Sequence, residues 1–255
     1  MIKPLTIYLF LGLSFAHFFA QGSQATIALK VGVPAFPPFA YLDEDNQLAG
    51  AMVDYFDLLE QDTGYRFDII LEPYSRVIAD VKQGKLDLAV IFRNAQLEGY
   101  ADFIGPVSKS KVIVLPQAEK NLVDYDQLLL LDHIGVVRGA SFAKRFDEDA
   151  LLKKLSISDY AQGLNLLHLN RVDAVVGSLE GLEYNILASG KALEDYGQPL
   201  LLTEKEYWLH FSNLSSYRHI VPRLKQAIDK LYQADLIYQL YRSADSSKLK
   251  TDDGQ

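Results

Sequence analysis

The chain has 255 residues, with 33 acidic and 25 basic side chains, a formal charge of −8 and no cysteine. An acidic chain without a basic stripe argues against nucleic acid and against anionic membrane surfaces as partners. The lack of cysteine excludes disulfides, thiol nucleophiles and thiolate metal sites, so stability has to come from packing.

Lys3, the apolar run Ile7–Phe19 and then Ser23-x-Ala25 follow the pattern of a secretory signal cleaved after Ala25. The run is shorter than the ~18 apolar residues a spanning helix needs. No cysteine is available for a lipid anchor. The expectation is a mature chain 26–255 that is exported to the periplasm, unanchored and monomeric.

Ala28–Val33 reads as a strand ending at Pro34. The next segment, PAFPPFAY, is held extended by its prolines, which display Phe36, Phe39 and Tyr41 from a stiff loop. Asp43–Asn46 is the turn of a hairpin. Met52, Val53, Tyr55, Phe56, Leu58 and Leu59 mark an amphipathic helix stopped by Gly64 in the C′ position. Phe67–Leu71 is a strand. Ser75 is placed to cap a helix from Arg76 to Lys82 that Gly84 ends.

Gly84–Asn94 reads GKLDLAVIFRN and Asn170–Ser178 reads NRVDAVVGS. Each places an aspartate just before a fully apolar strand and follows an amphipathic run. Ile134-Gly135-Val136 echoes Val31-Gly32-Val33, so the first-half order restarts. This double strand–helix alternation predicts two similar α/β lobes.

Between the repeats, Tyr100–Pro106 reads as irregular and Val112–Leu115 as a strand closed by Pro116. In the second lobe, Arg138–Ser141 leads into a helix through Phe146, and Leu151–Asp159 is a connector with one short strand. A helix Tyr160–Leu169, a strand Ala174–Val176 and a helix Leu179–Ser189 follow. Leu200–Thr203 and Tyr207–Ser212 read as two β-rich segments flanking a charged turn, and Ile220–Tyr241 as one helix. The tail from Ser243 is too polar to pack. The predicted division is 26–108 with 208–242 as one lobe and 109–207 as the other, including the hinge strands.

Enzymatic signatures are largely missing. His133, His168, His210 and His219 do not pair at i, i+4 with another ligand, and there is no G-x-S-x-G elbow and no P-loop. No metal and no cofactor are expected. Ligands of open α/β sheets sit at the carboxyl ends of strands. By that rule Pro38–Tyr41, Arg93-Asn94, Arg138–Ser141 and Gly177–Glu180 converge on one cleft. The candidate binding residues are Phe39, Tyr41, Tyr74, Arg76, Arg93, Asn94, Arg138, Gly139, Ser141, Ser178 and Glu180. Arg93 follows a buried strand and needs water, a ligand or a carboxylate such as Asp102 or Glu98. Arg76 opposes the dipole at its helix start, at a mild cost that hints at a use.

The ordered set VGVPAFPPFAY, LAGAMVDYFDLLEQDTGY, QGKLDLAVIF, YADFIGPV, IGVVRGASF and LNRVDAVVGS resembles bacterial extracellular solute-binding proteins of family 3, over essentially all of 27–242. The resemblance implies an α/β, two-lobed periplasmic binding protein-like fold of type II, a Venus flytrap with two hinge crossovers. It implies a small-molecule ligand handed to an ABC-type permease or reported to a membrane sensor. Amino-acid binders of the family carry an Arg for the α-carboxylate, in a T-x-x-R motif, and an Asp for the α-amino group. This chain has Leu97 and Ser178 at those positions. The expectation is therefore a small polar or anionic solute and not a standard amino acid. A few relatives are dehydratases acting on cyclic acids, so Glu180 with His133 or His168 is the alternative to test. A ligand-free interaction or sensor module on the same fold is the other.

Overall fold

The computed structural model describes residues 27–243, so the expected signal segment and the polar tail beyond Ser243 lie outside the described residues, while Ser243 itself ends a helical stretch. The first half opens with β1 (Ala28–Pro34), a small hairpin of β2 (Tyr41–Leu42) and β3 (Leu48–Ala49), and α1 (Ala51–Thr63). Gly64 ends α1 in the left-handed region at φ 73°, its N–H bonded to the Glu60 carbonyl, as the Gly signal predicts. Then come β4 (Arg66–Glu72), α2 (Tyr74–Lys82) and the wholly buried β5 (Leu88–Phe92). α2 starts two residues earlier than predicted. Pro73, with φ −57°, stands at its N-cap, and Ser75 lies within the first turn and caps nothing.

β6 runs unbroken from Ala101 to Pro116, although Tyr100–Pro106 was expected to be irregular. Gly105 and Pro106 are tolerated because the register slips beside them. Trp208 pairs with Pro106 and Tyr207 with Ser108, which leaves Val107 as an extra residue; Ile104 is skipped in the same way. Such bulges are where a strand can hold Pro.

The second half contains β7 (Ile134–Val137), α3 (Lys144–Glu148), β8 (Lys154–Ile157), α4 (Tyr160–His168), β9 (Ala174–Ser178) and α5 (Leu179–Ala188). β10 (Leu200–Ser212) is a second long strand, where two strands and a turn were predicted. Its charged middle stays in the ladder because Glu204 faces Lys111 and Glu206 faces Lys109, opposite charges across the antiparallel pair. α6 (Val221–Leu231) is followed by a break and a second helical stretch at 236–243, where one helix was predicted. The break is an attachment point. The Ala234 carbonyl accepts from the Lys109 N–H at 2.7 Å and from the Ser108 hydroxyl, and the Ile237 N–H returns to that hydroxyl.

One eight-stranded sheet has the order β4-β1-β5-β10-β6-β9-β7-β8. β10 and β6 lie side by side at its centre, β5 flanks β10 at Tyr207–Phe211, and β9 flanks β6 at Val112–Pro116. The two long strands thus carry the chain from one half of the sheet to the other. The repeated aspartates explain the sequence echo. Asp87 accepts from the Lys30 N–H at 2.9 Å and returns its own N–H to the Lys30 carbonyl. Asp173 accepts from the His133 N–H at 3.2 Å and returns its N–H to the His133 carbonyl. Each carboxylate ties its strand to the first strand of its own half.

Candidate functional site

The carboxyl ends of β1, β5, β7 and β9 face one another across the hinge strands, and loops from the two halves meet there. Gly139, at φ 81°, follows β7. A Cβ at this glycine would lie 3.2 Å from the Ser75 Cα of the other half, a tight contact at a φ that side chains rarely adopt, so glycine suits the approach. Its carbonyl accepts from Asn94 Nδ2 at 3.0 Å and from Gln96 Nε2 at 3.1 Å. Asn185 Nδ2 of α5 donates to the Pro37 carbonyl at 3.3 Å. The Lys205 ammonium on β10 donates to the Ser141 carbonyl and hydroxyl. Burial lowers the pKa of Lys205 to about 8, with neighbouring Asp147 opposing the shift. The cleft is therefore closed by the chain's own contacts.

What remains inside is a cavity of about 30 Å³, room for one or two waters. Seven aromatic rings line it, from Phe36, Phe39, Tyr74, Phe92, Phe142, Tyr160 and Tyr207, together with aliphatic side chains and Ser178. None of its lining residues is charged. Phe92 stacks on Tyr207 with centroids 4.4 Å apart, and Phe39 tilts against Tyr207 at 5.7 Å. Tyr160 is positioned by two glycines, since a Cβ on Gly177 or Gly181 would fall 2.4 or 2.3 Å from its ring. Its hydroxyl accepts from the Ser178 N–H at 3.1 Å. Burial raises the pKa of Tyr74, Tyr160 and Tyr207, so all three are neutral phenols.

Of the residues singled out in the sequence, Phe39, Tyr74 and Ser178 line this cavity. Asn94 is fully buried at the interface, its Nδ2 used on Gly139 and its Oδ1 accepting from the Gln96 N–H. Arg93, Asn94 and Ser141 line a separate, open groove of about 900 Å³ beside the cleft. Arg93 itself lies over the rings of Phe103 and Trp208, 5.0 and 4.9 Å from their centroids. Asp102, a carboxylate considered for it, pairs with Arg218 at 2.8 Å. Arg76 pairs with Asp80 at 3.0 Å, and Arg138 donates to the Ser156 hydroxyl at 3.4 Å. Tyr41 packs at 6.2 Å from the Tyr184 ring.

Glu180 is buried behind the cavity, where it accepts from the Ser110 hydroxyl of β6. Burial raises its pKa, and the Ser110 bond offsets part of the rise. It lines another groove, with Lys109, Lys111 and Glu183. Neither His133 nor His168 lines that groove, and His168 Nε2 is bonded to the Tyr196 hydroxyl at 2.8 Å. Leu97 is buried in a 3-10 turn that Asn94 caps.

Sequence reading missed Phe92, Phe142, Tyr160 and Tyr207. Phe142 and Phe92 directly adjoin chosen residues, so proximity was the available signal. Tyr207 and Tyr160 had none, because an aromatic residue at a strand centre or helix start reads as core.

Two α/β halves joined by paired central strands, with a cleft at the strand ends, define a two-lobed periplasmic binding protein-like fold. The chain belongs to the bacterial extracellular solute-binding proteins, family 3, whose model matches residues 29–243. Among solved structures it is similar to a histidine kinase sensor domain resembling periplasmic binding proteins, with a TM-score of 0.72 and 16% identity over 86% of this chain and 95% of that one. An ancestral arginine-binding protein bound to arginine has a TM-score of 0.70 and 18% identity, over 85% and 97% of the two chains. The BvgS VFT2 domain of Bordetella pertussis, a double mutant, has a TM-score of 0.68 and 21% identity, over 85% and 92%. A search of curated proteins finds no match. Among the described residues no helix is long and apolar enough to cross a membrane, and no group of acidic or histidine side chains could hold a metal ion.

Proposed function

We propose that this protein is a periplasmic flytrap binding module that takes an uncharged small solute and hands it to an ABC-type permease or reports it to a membrane sensor. The observation that carries this reading is the absence of any charged side chain among the residues lining the closed cavity. A carboxylate or zwitterion sealed there would lose its water and gain no counter-charge, a loss of several kcal/mol per ion. The Arg and Glu candidates of the sequence are all outside the cavity lining. This supports narrowing the expected polar or anionic solute to a neutral one. In this reading 26–108 with 208–242 form one lobe and 109–207 the other, a division favoured by the central position of β6 and β10. Closure stabilises whichever solute binds the closed state better than the open one.

The test is a thermal-shift screen of residues 26–255 against amino acids, organic acids, amines and neutral solutes. Stabilisation confined to neutral solutes is the expected result. Stabilisation by an amino acid or an organic acid overturns it. The small cavity favours a second reading, a module that rests closed and binds a protein partner in place of a solute. Small-angle scattering showing a closed chain, with no stabilisation by any solute, selects that reading.

A further inference from the structure

Outside the cleft, an open groove of about 450 Å³ lies along the hinge strands, lined by Arg93, Lys109, Glu204, Lys205, Glu206 and Trp208. β6 and β10 supply five of these six residues, and Arg93 stands just past the end of β5. Because β6 and β10 join the two halves, movement of one half against the other bends the strands beneath this groove.

Most of its charges are already engaged. Glu206 accepts from the Trp208 indole N–H at 3.0 Å and lies 4.0 Å from the Lys109 ammonium. Glu204 faces Lys111 across the ladder, and Ser141 holds the Lys205 ammonium. Arg93 differs. It is exposed, and among the described residues its guanidinium has no carboxylate partner and no hydrogen-bond acceptor. It lies instead over two rings, 5.0 Å from the Phe103 centroid and 4.9 Å from that of the partly exposed Trp208. Such contacts hold a guanidinium without using its N–H groups, which stay available as the fork that matches a carboxylate.

We propose that the Arg93–Trp208 face is a docking surface for an acidic segment of a partner protein, with a carboxylate on the Arg93 fork and an apolar neighbour against the Trp208 ring. Arginine and tryptophan are among the side chains that most often carry the energy of protein–protein contacts. Three cations against two carboxylates give the groove a positive balance in a chain of formal charge −8, so an acidic segment finds its counter-charge here. A basic segment meets the wrong sign. A free inorganic anion leaves the Trp208 ring uncovered. A partner seated on these strands senses opening and closing of the cleft, and the surface needs no particular solute in the cavity.

The experiment titrates residues 26–255 with three end-capped peptides, Leu-Glu-Leu-Glu, Leu-Gln-Leu-Gln and Leu-Lys-Leu-Lys, and with inorganic phosphate. Fluorescence of Trp208 reports binding, because it is the chain's one tryptophan and Arg93 lies on its ring. The Glu peptide is expected to give a saturable change and to bind on the order of tenfold more tightly than the Gln peptide. The Lys peptide should give none, and added salt should weaken the Glu peptide. Arg93→Gln should reduce the Glu peptide to the level of the Gln peptide. Arg93→Lys, which keeps the charge and loses the fork, should fall between them.

Equal binding of the Glu and Gln peptides, or no saturable change with the Glu peptide, overturns the proposal. So does a Glu-peptide response that survives in Arg93→Gln, since the peptide then sits elsewhere. Phosphate acting at lower concentration than the Glu peptide, and lost in Arg93→Gln, makes this a free-anion site and overturns the protein partner. A wild type stabilised by no solute but responding to the Glu peptide removes the uncharged-solute reading and leaves the docking surface standing.

Discussion

His210 makes the stability of this protein depend on pH in a window where few other groups titrate. It lies at the centre of β10, completely buried, with the Phe103 ring 4.8 Å away. Burial lowers its pKa from 6.5 to about 4, opposed by the Trp208 and Ala89 backbone and aided slightly by the charges of Arg93 and Lys205. The folded protein thus binds a proton less readily than the unfolded chain. Stability is full above the unfolded value and falls as the pH drops from 6.5 toward 4. The complete loss is about 3 kcal/mol, of which about 2 kcal/mol has gone by about pH 5. His210→Leu, close in volume and unable to titrate, removes this component. Urea unfolding of both proteins at about pH 7.5 and about pH 5 measures it. The wild type should lose about 2 kcal/mol more than the variant between the two conditions. Parallel losses would refute a buried, neutral His210.

Three further outcomes follow from the cleft and its supports. Gly181→Ala places a Cβ 2.3 Å from the Tyr160 ring, so the ring must leave its seat. Urea unfolding should show a loss of about 1–3 kcal/mol, and scattering a more open chain. Asn94→Ala removes the Nδ2 bond to Gly139 and the cap of the following turn. It should cost about 1–3 kcal/mol and increase the radius of gyration, and an unchanged radius would show that Asn94 does not hold the cleft shut. Asp87→Ala and Asp173→Ala each strand the backbone N–H groups that their carboxylates receive, on Lys30 and on His133. Hydrogen exchange should quicken at β1 in the first variant and at β7 in the second, each in its own half.

Much of the fold was legible in the residues because short-range signals placed its elements. The Gly64 stop, the apolar β5 and β9 and the paired Lys-Leu-Asp and Arg-Val-Asp segments each determine local structure within a few residues. The failures came where a long-range partner overrode a local signal. Gly105 and Pro106 read as breakers, but β10 accommodates them through two bulges. Glu204–Glu206 reads as a turn, but the lysines of β6 neutralise it within the ladder. The 220–241 helix reads as continuous, but Ala234 is drawn onto β6 and interrupts it.

The site divides in the same way. The sequence by itself pointed to strand ends that converge and to eleven candidate residues, of which Phe39, Tyr74 and Ser178 line the cavity. Only the tertiary structure decided that Arg93, Arg76 and Arg138 lie off the cavity wall and that aromatic side chains fill the cleft. A charge in a sequence carries no direction, and the side a side chain faces depends on strand register and on how closely two distant loops approach. Gly139 and Ser75 make that approach possible, and neither residue identifies its partner from sequence alone.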